Sequence, residues 1–186
     1  MNSLDERTVA LSKTKIAVGI LGAGVFVAIG VWMLLLDEAS IQSSRGFRLL
    51  YNNPLIVHGL GLAAIVVFGF LGLFFFKKLF DKKPGLVFTS SGIVDNASAV
   101  AAGFIPWSEV IGSQIFEIQN QKMLVILVKD PEKYVDSGNA LKRTINRANY
   151  KMCGSPIAIS AKALQINFSE LQSLFEQYLR KHGNAQ

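Results

Sequence analysis

The stretches IAVGILGAGVFVAIGVWMLLL (residues 16–36) and LIVHGLGLAAIVVFGFLGLFFF (residues 55–76) decide the fold class of this chain. Neither stretch contains Asp, Glu, Lys or Arg. At a rise of about 1.5 Å per residue, helices of this length reach across a hydrocarbon core roughly 30 Å thick, whereas buried core helices are usually shorter and have a polar face. The sequence therefore predicts a transmembrane helical hairpin within residues 15–80.

The first stretch has an alternative interpretation as a cleaved secretory signal peptide. Its apolar part exceeds the ~7–15 residues of such a peptide, and Asp5 and Glu6 lie in what would be a basic leader. The segment 37–39, Asp-Glu-Ala, also lacks the small-residue pattern of a cleavage site. We therefore interpret the stretch as a retained span and residues 1–14 as a polar N-terminal leader.

The distribution of Lys and Arg predicts the orientation of the hairpin. Basic residues flank it on both outer sides, at Arg7, Lys13, Lys15, Lys77, Lys78, Lys82 and Lys83. The connection between the spans has only Arg45 and Arg48. Because short cytoplasmic flanks have an excess of Lys and Arg, we expect a multi-pass protein of the inner (plasma) membrane, with the N-terminus and everything after residue 80 in the cytoplasm.

Small residues recur at four-residue spacing in both stretches, as Gly19/Ala23, Gly24/Ala28 and Gly59/Ala63. This spacing places small side chains on one helix face and lets transmembrane helices approach closely. The sequence predicts that these faces pack the two spans against each other, with homo-oligomerisation through the same faces as the alternative.

The pattern changes after the hairpin. Residues 81–85 have the charge, Pro and Gly content of a linker, and residues 86–182 consist of short β-type runs and two helical patterns. Strands are predicted at 86–89, 92–95, 113–118, 123–129 and 156–160, and helices at 139–151 and 170–179, while 97–103 is a strand or a loop. The predicted class of this domain is α+β.

The residues Gly92-Ile93, the segment Phe104-Ile105-Pro106-Trp107-Ser108-Glu109-Val110 and the hairpin that follows resemble bacterial two-span membrane proteins with a C-terminal pleckstrin-homology-like (PH-like) domain. The resemblance covers roughly residues 10–180 and rests mainly on the order of the elements. It implies a bent antiparallel sheet closed by a C-terminal amphipathic helix, with Trp107 packed under the sheet as a structural residue. A binding pocket formed with Phe104 is the alternative role of Trp107.

The sequence lacks the common motifs of enzymes. It contains no Walker A loop, no Gly-x-Ser-x-Gly elbow and no His-Glu-x-x-His. His58 and His182 are separated by most of the second stretch and the whole domain, which leaves a Ser or Cys nucleophile without a plausible base. Cys153 is the single cysteine, which excludes an intramolecular disulfide and a multi-cysteine zinc site. We expect no catalytic, metal or cofactor site.

The net charge of +6 derives largely from the lysines that flank the hairpin. From Pro84 onward the chain has ten Lys and Arg against eight Asp and Glu. A nearly balanced domain lacks the concentrated basic face that nucleic-acid binding requires. We therefore expect no nucleic-acid partner.

Two sets of basic residues are candidate contacts with lipid headgroups or a protein partner. The first is Lys77, Lys78, Lys82 and Lys83, each attracted to anionic headgroups by about 1 kcal/mol if it lies at the membrane surface. The second is Arg143, Arg147 and Lys151, which share one face of a helix. The alternatives are topology determinants for the first set and a solvated helix face for the second.

These features together predict a non-enzymatic, membrane-anchored binding or adaptor module with an unidentified protein partner. Some small membrane proteins with this type of domain are immunity proteins that neutralise a toxin, and the resemblance extends to that role. The alternative function is an oligomeric channel or a transport accessory subunit. The absence of a charged residue within either span disfavours an ion path.

Overall fold

The computed structural model of the protein describes residues 6–46, 52–98 and 100–183. Arg48 and the predicted leader before Glu6 lie outside these ranges. The chain divides into two compact units. We call Lys13–Asp81 the helical unit, and we call the segment up to Ser12 together with the segment from Lys82 onward the α+β unit. The helical unit is thus inserted into the sequence of the α+β unit.

The helical unit consists of α1 (Lys13–Leu35), α2 (Glu38–Ser43) and α3 (Pro54–Leu79). The two predicted long apolar helices are therefore confirmed as α1 and α3. The Asn53 side chain caps α3 by accepting from the Leu55 N–H at 2.9 Å, and Pro54 occupies the first helical position, where no N–H is needed.

Two glycines set the closest approach of α1 and α3. A Cβ atom on Gly30 would lie 2.7 Å from the Gly61 carbonyl oxygen, and one on Gly61 would lie 2.9 Å from the Gly30 carbonyl oxygen. Only glycine fits at this crossing. Phe26 and Phe68 stack across the same pair of helices, with ring centroids 4.2 Å apart.

The small residues were predicted to pack the two spans against each other. This is correct for the Gly19/Ala23 face and wrong for the Gly24/Ala28 and Gly59/Ala63 faces. A Cβ on Gly19 would contact the Phe75 ring at 3.0 Å, and one on Gly72 would lie 3.5 Å from the Ala23 Cβ, so the Gly19/Ala23 face packs against α3. A Cβ on Gly24 or Gly59 would meet nothing within 4 Å. The helices cross at the faces that contain Gly30 and Gly61, which turns Gly24 and Gly59 away from the contact.

The surfaces of α1 and α3 are apolar and exposed. By length and composition both helices are able to cross a membrane. In the most apolar 18-residue segment of each helix, only 11% (α1) and 6% (α3) of the residues are buried. A core helix of a soluble protein of this apolarity would be mostly buried. The exposed apolar surface of the helical unit therefore requires a cover from outside that unit.

The described residues of the α+β unit form seven strands, and all of the pairings among them are antiparallel. The strands are β1 (Arg7–Val9), β2 (Leu86–Phe88), β3 (Gly92–Asp95), β4 (Gly103–Pro106), β5 (Val110–Ile118), β6 (Gln121–Val128) and β7 (Ala158–Ser160). One sheet has the order β1-β2-β3-β4 and the other has the order β5-β6-β7. The resemblance implies a bent antiparallel sheet; the described strands form two sheets, and the 3₁₀ turn at Trp107–Glu109 lies between β4 of the first and β5 of the second.

The strand β1 lies within the predicted polar leader and was not anticipated. Val9 pairs with Leu86, and Leu11 forms an isolated antiparallel bridge with Leu164. Val9 and Leu11 are 3% and 4% exposed, so the alternation of this short segment buries one face. Gly85, in the predicted linker, is part of the same packing, because a Cβ atom there would overlap a methyl carbon of Leu164.

Trp107 joins the first sheet to the C-terminal helix α6 (Phe168–His182). Its side chain is 2% exposed, and its Nε1–H donates to the Thr89 carbonyl oxygen at 2.8 Å. The indole ring lies 6.5 Å from the Phe88 ring and 5.6 Å from the Phe175 ring. Aromatic pairs at these separations stabilise a core beyond the area they bury. Trp107 is therefore a core residue, and Phe104, half exposed, does not share its environment.

A short helix, α4 (Pro131–Val135), precedes α5 (Ala140–Cys153), which corresponds to the predicted helix at 139–151. We call them together the insertion, because they lie between β6 and β7 in the chain. Asn139 caps α5 by accepting from the Lys142 N–H, and Gly154 ends it with a positive φ of 72°. The Asn146 side chain is buried and donates to the Tyr134 carbonyl oxygen at 2.8 Å, which holds α5 against α4.

Candidate functional site

The predicted basic stripe lies on the exposed side of α5. Arg143, Arg147 and Lys151 occupy successive turns, and all three residues are exposed. Arg147 donates to Asp136 Oδ1 at 3.1 Å, but such an exposed pair contributes only ~0–1 kcal/mol. Among the described residues, Arg143 and Lys151 form no ion pair. We call these three residues the α5 basic face.

The four lysines at the end of α3 and just after it, predicted as candidate contacts with lipid headgroups or a partner, differ in exposure and pairing. Lys78 is 9% exposed, and its ammonium pairs with Asp81 at 2.9 Å, so its charge is compensated inside the helical unit. Lys77 is exposed in the last turn of α3, and Lys82 and Lys83 are exposed at the start of the second segment of the α+β unit. Lys78 therefore stabilises the end of α3 and is a poor contact for an external headgroup.

The two ends of the helical unit lie beside each other. The Lys13 ammonium, at the first residue of α1, donates to the Leu79 carbonyl oxygen and, at 2.8 Å, to the Asp81 carbonyl oxygen. A cation at these carbonyls also interacts favourably with the C-terminal end of the α3 dipole. The first and last residues of the helical unit therefore lie next to each other.

Glu109, in the segment that carries the resemblance, is the centre of a network of side-chain hydrogen bonds. Its carboxylate accepts from the Lys133 ammonium at 2.5 Å and from the Tyr134 hydroxyl at 2.6 Å. The bond from Lys133, followed by that from Tyr134, lowers the pKa of Glu109. Burial, followed by the bond to Glu109, raises the pKa of Tyr134. The network attaches α4, and with it α5, to the start of β5.

This network predicts that the attachment of α4 and α5 to the start of β5 weakens in acid. The folded-state pKa of Glu109 is depressed below its ordinary value of 4.5, so its stabilisation is present above that pH and is lost as pH falls through the folded-state pKa. We expect the melting temperature of the α+β unit to fall below about pH 4.5 more steeply in the natural protein than in Glu109→Gln. Glu117→Gln, at an exposed carboxylate, is the control and should retain the natural pH dependence. Identical melting curves against pH for Glu109→Gln and the natural protein would contradict this role.

An open cleft of about 540 Å³ lies between β1 and the N-terminal half of α6. Its walls include Arg7, Thr8, Val9, Glu170, Ser173 and Gln177. The cleft could not be anticipated from the sequence, because no strand was predicted at residues 7–9. The only available signal was the pair of apolar residues Val9 and Leu11 at alternating positions in an otherwise polar segment.

The described residues offer little reactive chemistry. Within them, no group of three or more His, Cys, Asp or Glu side chains is placed to hold a metal ion. Cys153 is 5% exposed, and burial raises the pKa of its thiol, which disfavours the reactive thiolate. His58 Nε2 lies 3.1 Å from the Leu36 carbonyl oxygen inside the helical unit, a hydrogen bond between α3 and the residue that follows α1.

The chain has no match among family models, curated proteins or solved structures.

Proposed function

We propose that this protein is a non-enzymatic binding module anchored in the inner membrane. The helical unit spans the membrane as a hairpin, and the α+β unit is a PH-like domain that recruits a protein partner at the cytoplasmic face. The observation that carries the proposal is the position of the hairpin in the chain, between β1 and β2, which are neighbouring strands of one sheet. An anchor inserted in this way attaches the domain to the membrane through two covalent connections.

The pairing of β1 with β2 supports a retained hairpin with both ends on one side of the membrane. The chain leaves the sheet before α1 and returns to it after α3, so a membrane between the two strands would prevent their pairing. Cleavage after α1, as in a signal peptide, would separate β1 from the domain. The bonds of Lys13 to the last residue of α3 and to Asp81 support the same arrangement.

Three features support a PH-like domain. Its described strands, all paired antiparallel, form sheets of four and three, which is compatible with the bent sheet that the resemblance implies. The last element is an amphipathic helix that buries Leu171 and Phe175. Trp107, in the segment that carries the resemblance, packs directly against that helix through Phe175.

The α5 basic face supports a protein partner with an acidic surface. The insertion α4–α5 projects three exposed cations at helical spacing, and the Glu109 network and Asn146 hold it in one orientation. A fixed cationic face steers an acidic partner and sets its register. Membrane confinement further raises the effective concentration of any partner located at the same surface.

Crosslinking in living cells, followed by pull-down of the full-length protein from carbonate-washed membranes, tests this function. We expect the protein to remain in the membrane fraction and to recover a stoichiometric protein partner. Reversing the charges of Arg143, Arg147 and Lys151 to Glu should reduce recovery of that partner about tenfold or more, because paired charges become like charges. A partner that is a toxin would make this chain an immunity protein.

The matched control reverses three exposed lysines elsewhere in the same unit, at Lys122, Lys129 and Lys162, which changes the net charge equally. We expect this control to retain the partner. Release of the chain by carbonate would refute the anchor, and equal recovery with both triple variants would refute the α5 basic face as the contact.

A further inference from the structure

The first sheet has an incompletely paired edge at β1. Gly85 N–H donates to the Val9 carbonyl oxygen at 2.9 Å, on the β2 side, whereas Gln165 N–H donates to the Ala10 carbonyl oxygen at 3.0 Å, on the opposite side. Because peptide groups of successive strand residues point to opposite sides, the Thr8 N–H and C=O point away from β2, as those of Ala10 do. Within the described residues, no backbone bond is formed with Thr8 on that side.

The open cleft lies along this edge. It is bounded by β1 on one side and by α6 on the other, and its volume of about 540 Å³ is within the usual range of roughly 300–1,000 Å³ for binding pockets. Residues after Ala10 are already paired with the segment that includes Ala163 and Gln165, so the open edge is short. Only one brief extended segment can add to it.

The charges in the cleft indicate what that segment carries. Arg7 is exposed, lines the cleft and forms no ion pair among the described residues. A guanidinium presents a fixed fork of donors that fits a carboxylate. Glu170 also lines the cleft, with its Oε2 accepting from the Asn167 N–H at 3.0 Å. A ligand with one acidic side chain is therefore favoured over one that is acidic throughout, which Glu170 would repel.

We propose that this cleft binds an extended peptide segment of a partner protein, which adds as a strand to β1 at Thr8 and places one acidic side chain against Arg7. Strand addition of this kind takes affinity from backbone hydrogen bonds and specificity from alternate side chains. The proposal rests on the proposed binding function and deepens it by naming a second surface and the chemistry of its ligand.

Selection from a displayed library of random heptapeptides tests the proposal, with the full-length protein in lipid nanodiscs as the target. We expect the selected peptides to have a single acidic residue among β-branched residues and no central proline. Synthetic copies of them should bind Arg7→Glu and Thr8→Pro about tenfold more weakly, since each variant removes a bond of about 1.5 kcal/mol. Proline at Thr8 removes only an N–H that points away from β2, a position where edge strands tolerate it.

Arg180→Glu, an exposed charge reversal on α6 outside the cleft, should bind the peptides normally. Unchanged labelling of the buried Cys153 thiol would show that each variant is folded. The proposal is overturned by a selection without binders that depend on Arg7 and Thr8, by equal binding of N-acetylglutamate alone, or by self-association that Thr8→Pro abolishes. Those outcomes leave the proposed function intact, because it fails only through loss of anchoring or of a partner for the α5 basic face.

Discussion

Val9→Asp is expected to unfold the α+β unit, although most of that unit follows the helical unit in sequence. Val9 is 3% exposed in β1 and pairs with Leu86. An unpaired carboxylate at such a position costs several kcal/mol, a large fraction of the roughly 5–15 kcal/mol that stabilises a typical domain. The single cysteine, Cys153, is buried in the same unit and reports the effect. We expect its maleimide labelling rate to rise about a hundredfold or more, which corresponds to about 3 kcal/mol.

Thr8→Asp is the matched control for this prediction. Thr8 is the exposed neighbour of Val9 in the same strand, so the same charge there remains hydrated. We expect its labelling rate to stay within about threefold of the natural protein, as is usual for surface substitutions. Equal labelling rates for Val9→Asp and Thr8→Asp would show that β1 is not part of the folded α+β unit.

Trp107→Ala is expected to lower the free energy of unfolding of the same unit by about 3–5 kcal/mol. The substitution leaves a cavity between Phe88 and Phe175 and removes the donor to the Thr89 carbonyl oxygen. Trp107→Phe keeps an aromatic ring but loses that hydrogen bond, so we expect an intermediate loss of about 1–3 kcal/mol. The urea concentration at which Cys153 becomes accessible, measured in detergent micelles, gives both values.

Phe104→Ala separates a core role of Trp107 from a pocket role. Phe104 lies nearby in the chain, in β4, but its side chain is 50% exposed. If Trp107 is a core residue, we expect Phe104→Ala to cost less than about 1 kcal/mol. A stable Trp107→Ala protein that loses partner binding together with Phe104→Ala would instead assign both rings to a binding pocket.

Elements that depend on neighbouring residues were predicted well. The helices α1 and α3 follow from two long runs of apolar residues. The helix α6 follows from an apolar stripe at Leu171, Leu174, Phe175, Tyr178 and Leu179, preceded by the polar residues Asn167 and Glu170. The capping box between these two residues is present, with bonds of 2.9 and 3.0 Å. Gln119 and Asn120, between the predicted strands 113–118 and 123–129, form the hairpin turn with φ values of 48° and 61°. In each case the residues that form the bonds lie within a few positions of one another.

The candidate site was predicted only where it lies on one element. Arg143, Arg147 and Lys151 share a face because a helix repeats every 3.6 residues, which the sequence displays directly. The Glu109 network joins the start of β5 to α4. Its two partners, the Lys133 ammonium and the Tyr134 hydroxyl, lie too far from Glu109 in sequence for any helix or strand period to relate them. The compensated charge of Lys78 likewise depends on a bond to Asp81, beyond the end of its helix.

Hydropathy and short-range patterns were sufficient for the two apolar helices, the α+β class and the C-terminal helix. They were insufficient for β1, for the division of the strands into two sheets and for the cleft between β1 and α6. A helix satisfies its backbone groups within one segment, so its length and apolarity identify it locally. A three-residue strand is stable only through partners elsewhere, here Leu86 and the segment around Leu164. Those partners follow the whole hairpin in sequence, and folding alone brings them to Arg7–Val9.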